Sequence, residues 1–163
     1  MPIFKNFYNE IVDVLDSLWD HYSKVRGVNK RLESIAEFTL NLAKSYCPIR
    51  SGVLFDSIES RPYRNGYIIS IYGEGRAYGK FVEYGTGIVG RDNPHPRPPS
   101  SWVYNAHFDE YGKDWIGFEP RAFMYNTYVY LTQAIASSTT NSKWYKVTFT
   151  SFQRTPAIII EKR

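Results

Sequence analysis

The sequence predicts an α+β fold with a long internal loop and an extended C-terminal arm. Apolar residues recur at helical spacing in three segments, and an Asn-Gly pair separates two runs of potential β-strand. Near the C-terminus the side chains alternate with a period of two, which is typical of a β-strand. The chain has 163 residues, and we expect one α+β domain over residues 1–136 and a basic extension over 137–163.

Two amphipathic helices are predicted in the N-terminal part. Residues 3–24 place large apolar side chains at helical intervals, with acidic residues on the opposite face. Residues 30–46 carry a second apolar stripe, and Asn29 is positioned to cap the start of that helix. Pro48 ends it, because proline disfavours helical geometry in the residue before it. We expect the two helices to pack on each other or on a sheet.

A short helix and a β-hairpin are expected next. Ser51 is placed to cap a helical segment over residues 53–58. Residues 59–63 and 67–73 then form two strands, because the second run is rich in β-forming residues. The Asn-Gly pair within residues 64–66 favours a tight turn between them.

The middle of the chain is predicted to be mostly loop. Residues 77–84 can form a short helical turn, and the chain from Gly85 to about residue 114 lacks a regular pattern. Four prolines within residues 93–100 exclude regular structure there. Residues 115–118 favour a short strand. A loop of this length is usually functional or mobile.

The C-terminal third begins with another helix. Pro120 suits its first turn, and its apolar face, which includes Phe123, continues to about Ala136. Residues 144–151 alternate like a strand, and residues 157–160 can form another. Because these strands come so late, we expect them to pair with the sheet edge of a neighbouring chain.

Aromatic residues make up 17% of the chain, with 14 Tyr, 10 Phe and 4 Trp. A buried Tyr needs a partner for its hydroxyl, and Tyr and Trp are favoured at the centres of interfaces. We therefore expect many of these rings to meet another subunit. The single cysteine, Cys47, excludes a disulfide framework and is expected to be a buried, inert thiol.

The net charge of +4 is concentrated near the C-terminus. Residues 143–163 hold five basic residues and one acidic residue, so residues 1–142 are neutral. Such an arm either stays solvated or lies on an acidic neighbour or on nucleic acid. The opening residues lack the apolar core of a signal peptide, and no stretch is long and apolar enough for a membrane span.

No catalytic, cofactor-binding or metal-ligating set is evident. The glycine pairs at 73–75 and 85–87 lack the residues of a phosphate loop and are interpreted as turns. Glu83 is expected to be a structural acceptor or an interface charge, not a general base. The candidate interface residues are mostly basic or aromatic: Arg91, His95, Arg97, Trp102, Trp144, Tyr145, Phe149 and Arg154.

Three ordered segments, residues 43–58, 78–87 and 120–124, together carry a family resemblance. They resemble the neck or tail-completion proteins of long-tailed bacteriophages, which help to join the head to the tail. Gly79 and Asn126 depart from the family pattern, and residues 137–163 have no counterpart in it. The positions that match, mainly in turns, are Pro48, Gly52, Leu54, Ser57, Tyr78, Glu83, Gly85, Thr86, Gly87 and Phe123.

This resemblance implies helices packed on a small antiparallel β-sheet, and a non-enzymatic virion protein that forms a six-fold homo-oligomeric ring. The ring would contact a head-side connector or stopper protein and a tail terminator or tail tube protein, with genomic DNA passing through its lumen. It implies no cofactor and no membrane, and assembly in the host cytoplasm. Two alternatives stay open: the tail terminator ring itself, and a nucleic-acid-binding module that uses the basic arm and the loop that holds Arg91 and Arg97.

Overall fold

A computed structural model describes residues 28–104, 115–138 and 143–163. The helix expected over residues 3–24 lies outside these ranges. The predicted fold class is confirmed: across the described ranges, five α-helices pack with a four-stranded antiparallel sheet. No helix in those ranges combines the length and hydropathy needed to cross a bilayer.

Along the chain, a group of helices is followed by a pair of strands, and this order occurs twice. The helices are α1 (Val28–Tyr46), α2 (Val53–Ser57), α3 (Arg76–Tyr84), α4 (Gly87–Asp92) and α5 (Phe123–Ser137), with a 3₁₀ turn at Gly73–Gly75 before α3. The strands are β1 (Ile58–Tyr63), β2 (Gly66–Ile71), β3 (Tyr145–Phe152) and β4 (Thr155–Lys162). Their order across the sheet is β1-β2-β4-β3.

The hairpin predicted from the Asn-Gly pair is present as β1 and β2. Its loop is the residue pair Arg64–Asn65, since Tyr63 and Gly66 are already cross-strand partners. Gly66 is required for a further reason: a Cβ atom there would lie 1.8 Å from the Ile160 carbonyl oxygen of β4. The glycine therefore lets β4 approach the start of β2.

The C-terminal segment is part of the sheet and not an arm beyond it. β4 pairs with β2 on one side and with β3 on the other, so it is a central strand. The expected boundary at residue 136 therefore does not separate a domain from an extension. The expectation that both late strands pair with another chain is also wrong for β4, because its own chain occupies both of its edges.

One face of the sheet carries the main core. Ile69 and Ile71 of β2 and Ile158 and Ile160 of β4 are at most 1% exposed and pack with α1, α3 and α5. The opposite face has a smaller apolar cluster: Ile68, Ala157 and Ile159, with Tyr63 and Phe152 beside them. This burial on both faces explains why residues 157–160 are continuously apolar.

Several predicted helix ends differ from the structure. α1 begins at Val28, so Asn29 lies within the helix. Gly52, in a left-handed conformation, precedes α2, and Ser51 does not cap it. α5 starts at Phe123 and not near Pro120, because Ala122 adopts a left-handed conformation. The loop predicted after Gly85 contains the short helix α4, and residues 115–118 contribute a single bridge between Thr86 and Phe118.

Candidate functional site

The carboxylate of Glu83 holds the start of α5. Glu83 lies in the last turn of α3 and is fully buried. Its Oε2 accepts a hydrogen bond from the Met124 amide and its Oε1 accepts one from the Tyr125 amide, both at 2.9 Å. The main-chain oxygen of Glu83 also accepts a bond from the amide of Ala122 at 3.2 Å.

This arrangement replaces an ordinary helix cap. The residue before α5 is Ala122, whose side chain has no oxygen to bond the first free amides of the helix. Glu83 supplies two oxygens from another helix instead, and its negative charge lies at the positive end of the α5 dipole. α3 and α5 are thereby joined through buried, charge-assisted hydrogen bonds.

His95 is the third donor to the same carboxylate. Its Nε2 lies 3.0 Å from Glu83 Oε1, and both side chains have no exposed surface. Its Nδ1 accepts the Arg97 amide at 2.9 Å, which requires that Nδ1 carry no proton. The hydrogen therefore sits on Nε2, and the neutral imidazole donates it to Glu83.

Aromatic rings enclose His95 on several sides. The ring centroids of Tyr84, Tyr125 and Phe149 lie 4.9, 5.1 and 6.0 Å from that of the imidazole. Trp102 packs against Tyr84 at 5.1 Å and extends this cluster toward α3. Tyr84 and Phe149 are thus buried inside the chain and are not available to meet another subunit.

The contacts of the Glu83–His95 pair give it a structural role. Both carboxylate oxygens and both imidazole nitrogens already have partners, and neither side chain is open to a substrate. A general base needs an accessible lone pair within reach of the proton that it removes. The expectation that Glu83 is an acceptor is confirmed. The described residues also contain no group of three or more His, Cys, Asp or Glu suited to a metal ion.

The Gly85–Thr86–Gly87 turn follows directly and brings two distant segments together. Gly85 has φ 76° and ψ 169°, and a Cβ atom there would lie 2.7 Å from the nitrogen of Pro120. Thr86 exchanges main-chain hydrogen bonds with Phe118 at 3.0 and 3.1 Å. The turn therefore fixes residues 118–120, from which the chain enters α5.

Residues 43–58 pack against the same unit. Ser57 Oγ accepts the Gly75 amide at 3.0 Å, and a Cβ atom on Gly79 would lie 2.9 Å from Leu54 Cδ1. Cys47 is buried, as expected. Its desolvation, with a smaller contribution from the Glu83 carboxylate, raises the thiol pKa from 9.0 to about 11, although Lys44 acts to lower it.

An open groove of about 960 Å³ runs beside these contacts. It is mainly apolar, and Tyr78 and Phe118 on its wall are 37% and 39% exposed. Thr86 also lines it, and its buried Oγ1 has no hydrogen-bond partner within the described part of the chain. Its remaining lining includes Pro48, Gly52, Leu54, Phe81, Trp115, Arg50 and Arg121.

The predicted interface residues do not form one exposed surface. Tyr145 and Phe149 are buried, His95 is 2% exposed, and Trp102 is half-buried, so these four belong to the interior. At the end of α4, Arg91 bonds its neighbour Asp92. In the proline-rich loop that follows, the guanidinium of Arg97 lies 5.4 Å from the Tyr128 ring centroid. Arg154 is in the exposed β3–β4 turn. Trp144 is 57% exposed.

Sequence reasoning did not detect the pairing of Glu83 with His95. The two residues are twelve positions apart, and Glu83 is about forty positions from the amides that it caps. No local spacing marks such a contact. In comparisons with known proteins, no family model, curated protein or solved structure matches this chain. The resemblance to phage neck proteins therefore depends on the three segments alone.

Proposed function

We propose that this chain is a structural virion protein of a tailed bacteriophage, a ring subunit of the neck that joins the head to the tail. One observation carries the proposal: the three segments that resemble the neck family are in direct contact. Leu54 packs against Gly79, Glu83 caps α5 at Met124, and Gly85 lies against Pro120. The matched positions therefore make up one folded unit.

The roles of these residues favour a structural protein. Each carboxylate oxygen of Glu83 and each ring nitrogen of His95 has a hydrogen-bond partner. Gly85 allows the backbone to pack closely against Pro120. A ring subunit needs rigid elements and surface to bury against its neighbours, and it needs no open reactive group.

The groove provides surface of the required kind. Its exposed Tyr78 and Phe118 offer apolar area. We assign this groove to the contact with the next copy in the ring. The aromatic content of the sequence predicted that rings meet another subunit, and we assign that contact to the exposed rings of this groove.

Blocking expression of the chain during infection by its phage tests the proposal. We expect DNA-filled heads and finished tails that do not join, observed by electron microscopy. Tails of uncontrolled length in the same lysate would instead assign the chain to the tail terminator. Joined, infectious particles formed without the chain would contradict both assignments.

Complementation with variants tests the groove. The double variant Tyr78→Ser, Phe118→Ser removes exposed apolar surface and is expected to fold but to restore few joined particles. Val103→Ser is the matched control, because Val103 is 57% exposed and does not line the groove. Equal rescue by both variants would exclude the groove as the contact between copies.

A further inference from the structure

The excess positive charge of the chain gathers at one end of the sheet. Four of the five basic residues of segment 143–163 lie at the open end of the β3–β4 hairpin, and only Arg154 is at its loop. Tyr145 pairs with Lys162, and the Arg163 amide donates to the Trp144 carbonyl at 2.9 Å. The folded hairpin therefore concentrates charge that the sequence distributes over the 21 residues of this segment.

The β1–β2 loop adds to this end. Asn65 Nδ2 donates to the Lys162 carbonyl at 3.1 Å, which fixes the loop beside β4. Arg64 in the same loop is exposed. Its guanidinium lies 3.9 Å from the carboxylate of Glu161, the one acidic residue of segment 143–163. We call this surface the basic end; it comprises Arg64, Lys143, Trp144, Lys146, Lys162 and Arg163.

An exposed indole lies among these cations. Trp144 is 57% exposed, and Lys143, Lys146 and Arg163 are also exposed. Cations alone would suit any acidic partner, but an exposed aromatic ring beside them is typical of nucleic-acid surfaces, where it stacks on a base. The basic end crosses three adjacent chain segments, a width of about 10 Å at the usual strand spacing. That width corresponds to roughly three phosphates of one DNA strand.

We propose that the basic end binds the phosphodiester backbone of nucleic acid, and that Trp144 stacks on an unpaired base when one is available. This goes beyond the proposed ring, because it concerns a surface that exists whether or not the chain assembles.

Fluorescence anisotropy with a labelled 20-nucleotide single strand and the matching duplex tests the inference. We expect both probes to bind the full chain at low salt. The triple variant Lys143→Ser, Lys146→Ser, Arg163→Ser should bind both probes at least about tenfold more weakly. The slope of log affinity against log salt concentration should drop in magnitude by up to about three. Trp144→Ala should weaken the single strand several-fold and the duplex much less.

A control variant with the same loss of charge is Lys30→Ser, Arg91→Ser, Arg97→Ser, at three exposed positions outside the basic end and the groove. It should bind within about twofold of the parent chain. No binding by the parent chain at low salt, or an equal loss in the control variant, would overturn the inference. An equal loss for both probes in Trp144→Ala would overturn the stacking role. Complementation of head–tail joining by the triple variant of Lys143, Lys146 and Arg163 tests the neck proposal separately from DNA binding. Thermal melting of each variant verifies that it folds.

Discussion

The Oε1 atom of Glu83 lies 3.0 Å from Nε2 of His95, and both side chains are completely buried. The same carboxylate bonds the first amides of α5, so that a single residue connects α3, α5 and the loop after α4. The chain can therefore bury this charged carboxylate, because each of its two oxygens accepts at least one hydrogen bond.

Replacing the Glu83 carboxylate should destabilise the fold strongly. In Glu83→Gln the amide nitrogen faces a main-chain N–H and cannot accept from it, so at least one buried amide loses its partner. We expect a loss of about 3 kcal/mol in the free energy of unfolding, measured by urea denaturation. Glu37→Gln on the exposed face of α1 is the matched control and should change stability by less than about 0.5 kcal/mol. Equal, small losses would show that Glu83 does not hold α5.

The tautomer of His95 follows from its two hydrogen bonds. We expect a neutral imidazole with the hydrogen on Nε2, because Nδ1 accepts the Arg97 amide. Nitrogen-15 correlation spectra of the histidine ring distinguish the tautomers directly. A hydrogen on Nδ1 would contradict the geometry of this centre.

Two glycines with positive φ should respond differently to alanine. Gly85→Ala places a Cβ atom 2.7 Å from Pro120 in a conformation that only glycine adopts readily, and it should cost about 3 kcal/mol or more. Gly73 has φ 58° and open space around the Cβ position, so Gly73→Ala should cost only about 1 kcal/mol. Thermal unfolding measures both. Similar melting temperatures for the two variants would argue against tight packing of the Gly85 turn.

Cys47 should be unreactive in the folded chain and should make stability depend on alkaline pH. Its pKa is raised to about 11, so the thiol stays protonated after the unfolded chain begins to ionise near 9.0. The folded state therefore loses stability as pH rises from about 9 to about 11, and this part of the loss should be absent in Cys47→Ala. Ellman's reagent at pH 8 should label the native thiol far more slowly than the urea-unfolded thiol. Rapid labelling of the native chain would contradict the burial of this residue.

The local sequence pattern predicts those helices and strands whose formation depends mainly on residues close together in the sequence. The Asn65–Gly66 pair identified the β1–β2 hairpin, and apolar spacing identified α1 and α5 to within a few residues. Helix ends were less predictable, because Gly52 and Ala122 determine them through left-handed backbone conformations that sequence spacing does not reveal.

The placement of the C-terminal strands depended on a non-local partner. β4 pairs with β2, which is about ninety residues earlier in the chain, and no local pattern encodes that pairing. The apolar run at residues 157–160 was a usable signal, since a strand buried on both faces loses its alternation. The same limit applies to the candidate site, where Glu83 was correctly expected to be an acceptor although neither His95 nor α5 was predicted as its partner.

Counting copies of the chain in purified particles tests the central claim most directly. Quantitative mass spectrometry of density-purified virions, calibrated against the major capsid protein, gives this number. A neck ring predicts a small fixed number, six for the symmetry expected of a tail, retained after mild washing. Particles that are infectious and contain none of the chain would contradict the account.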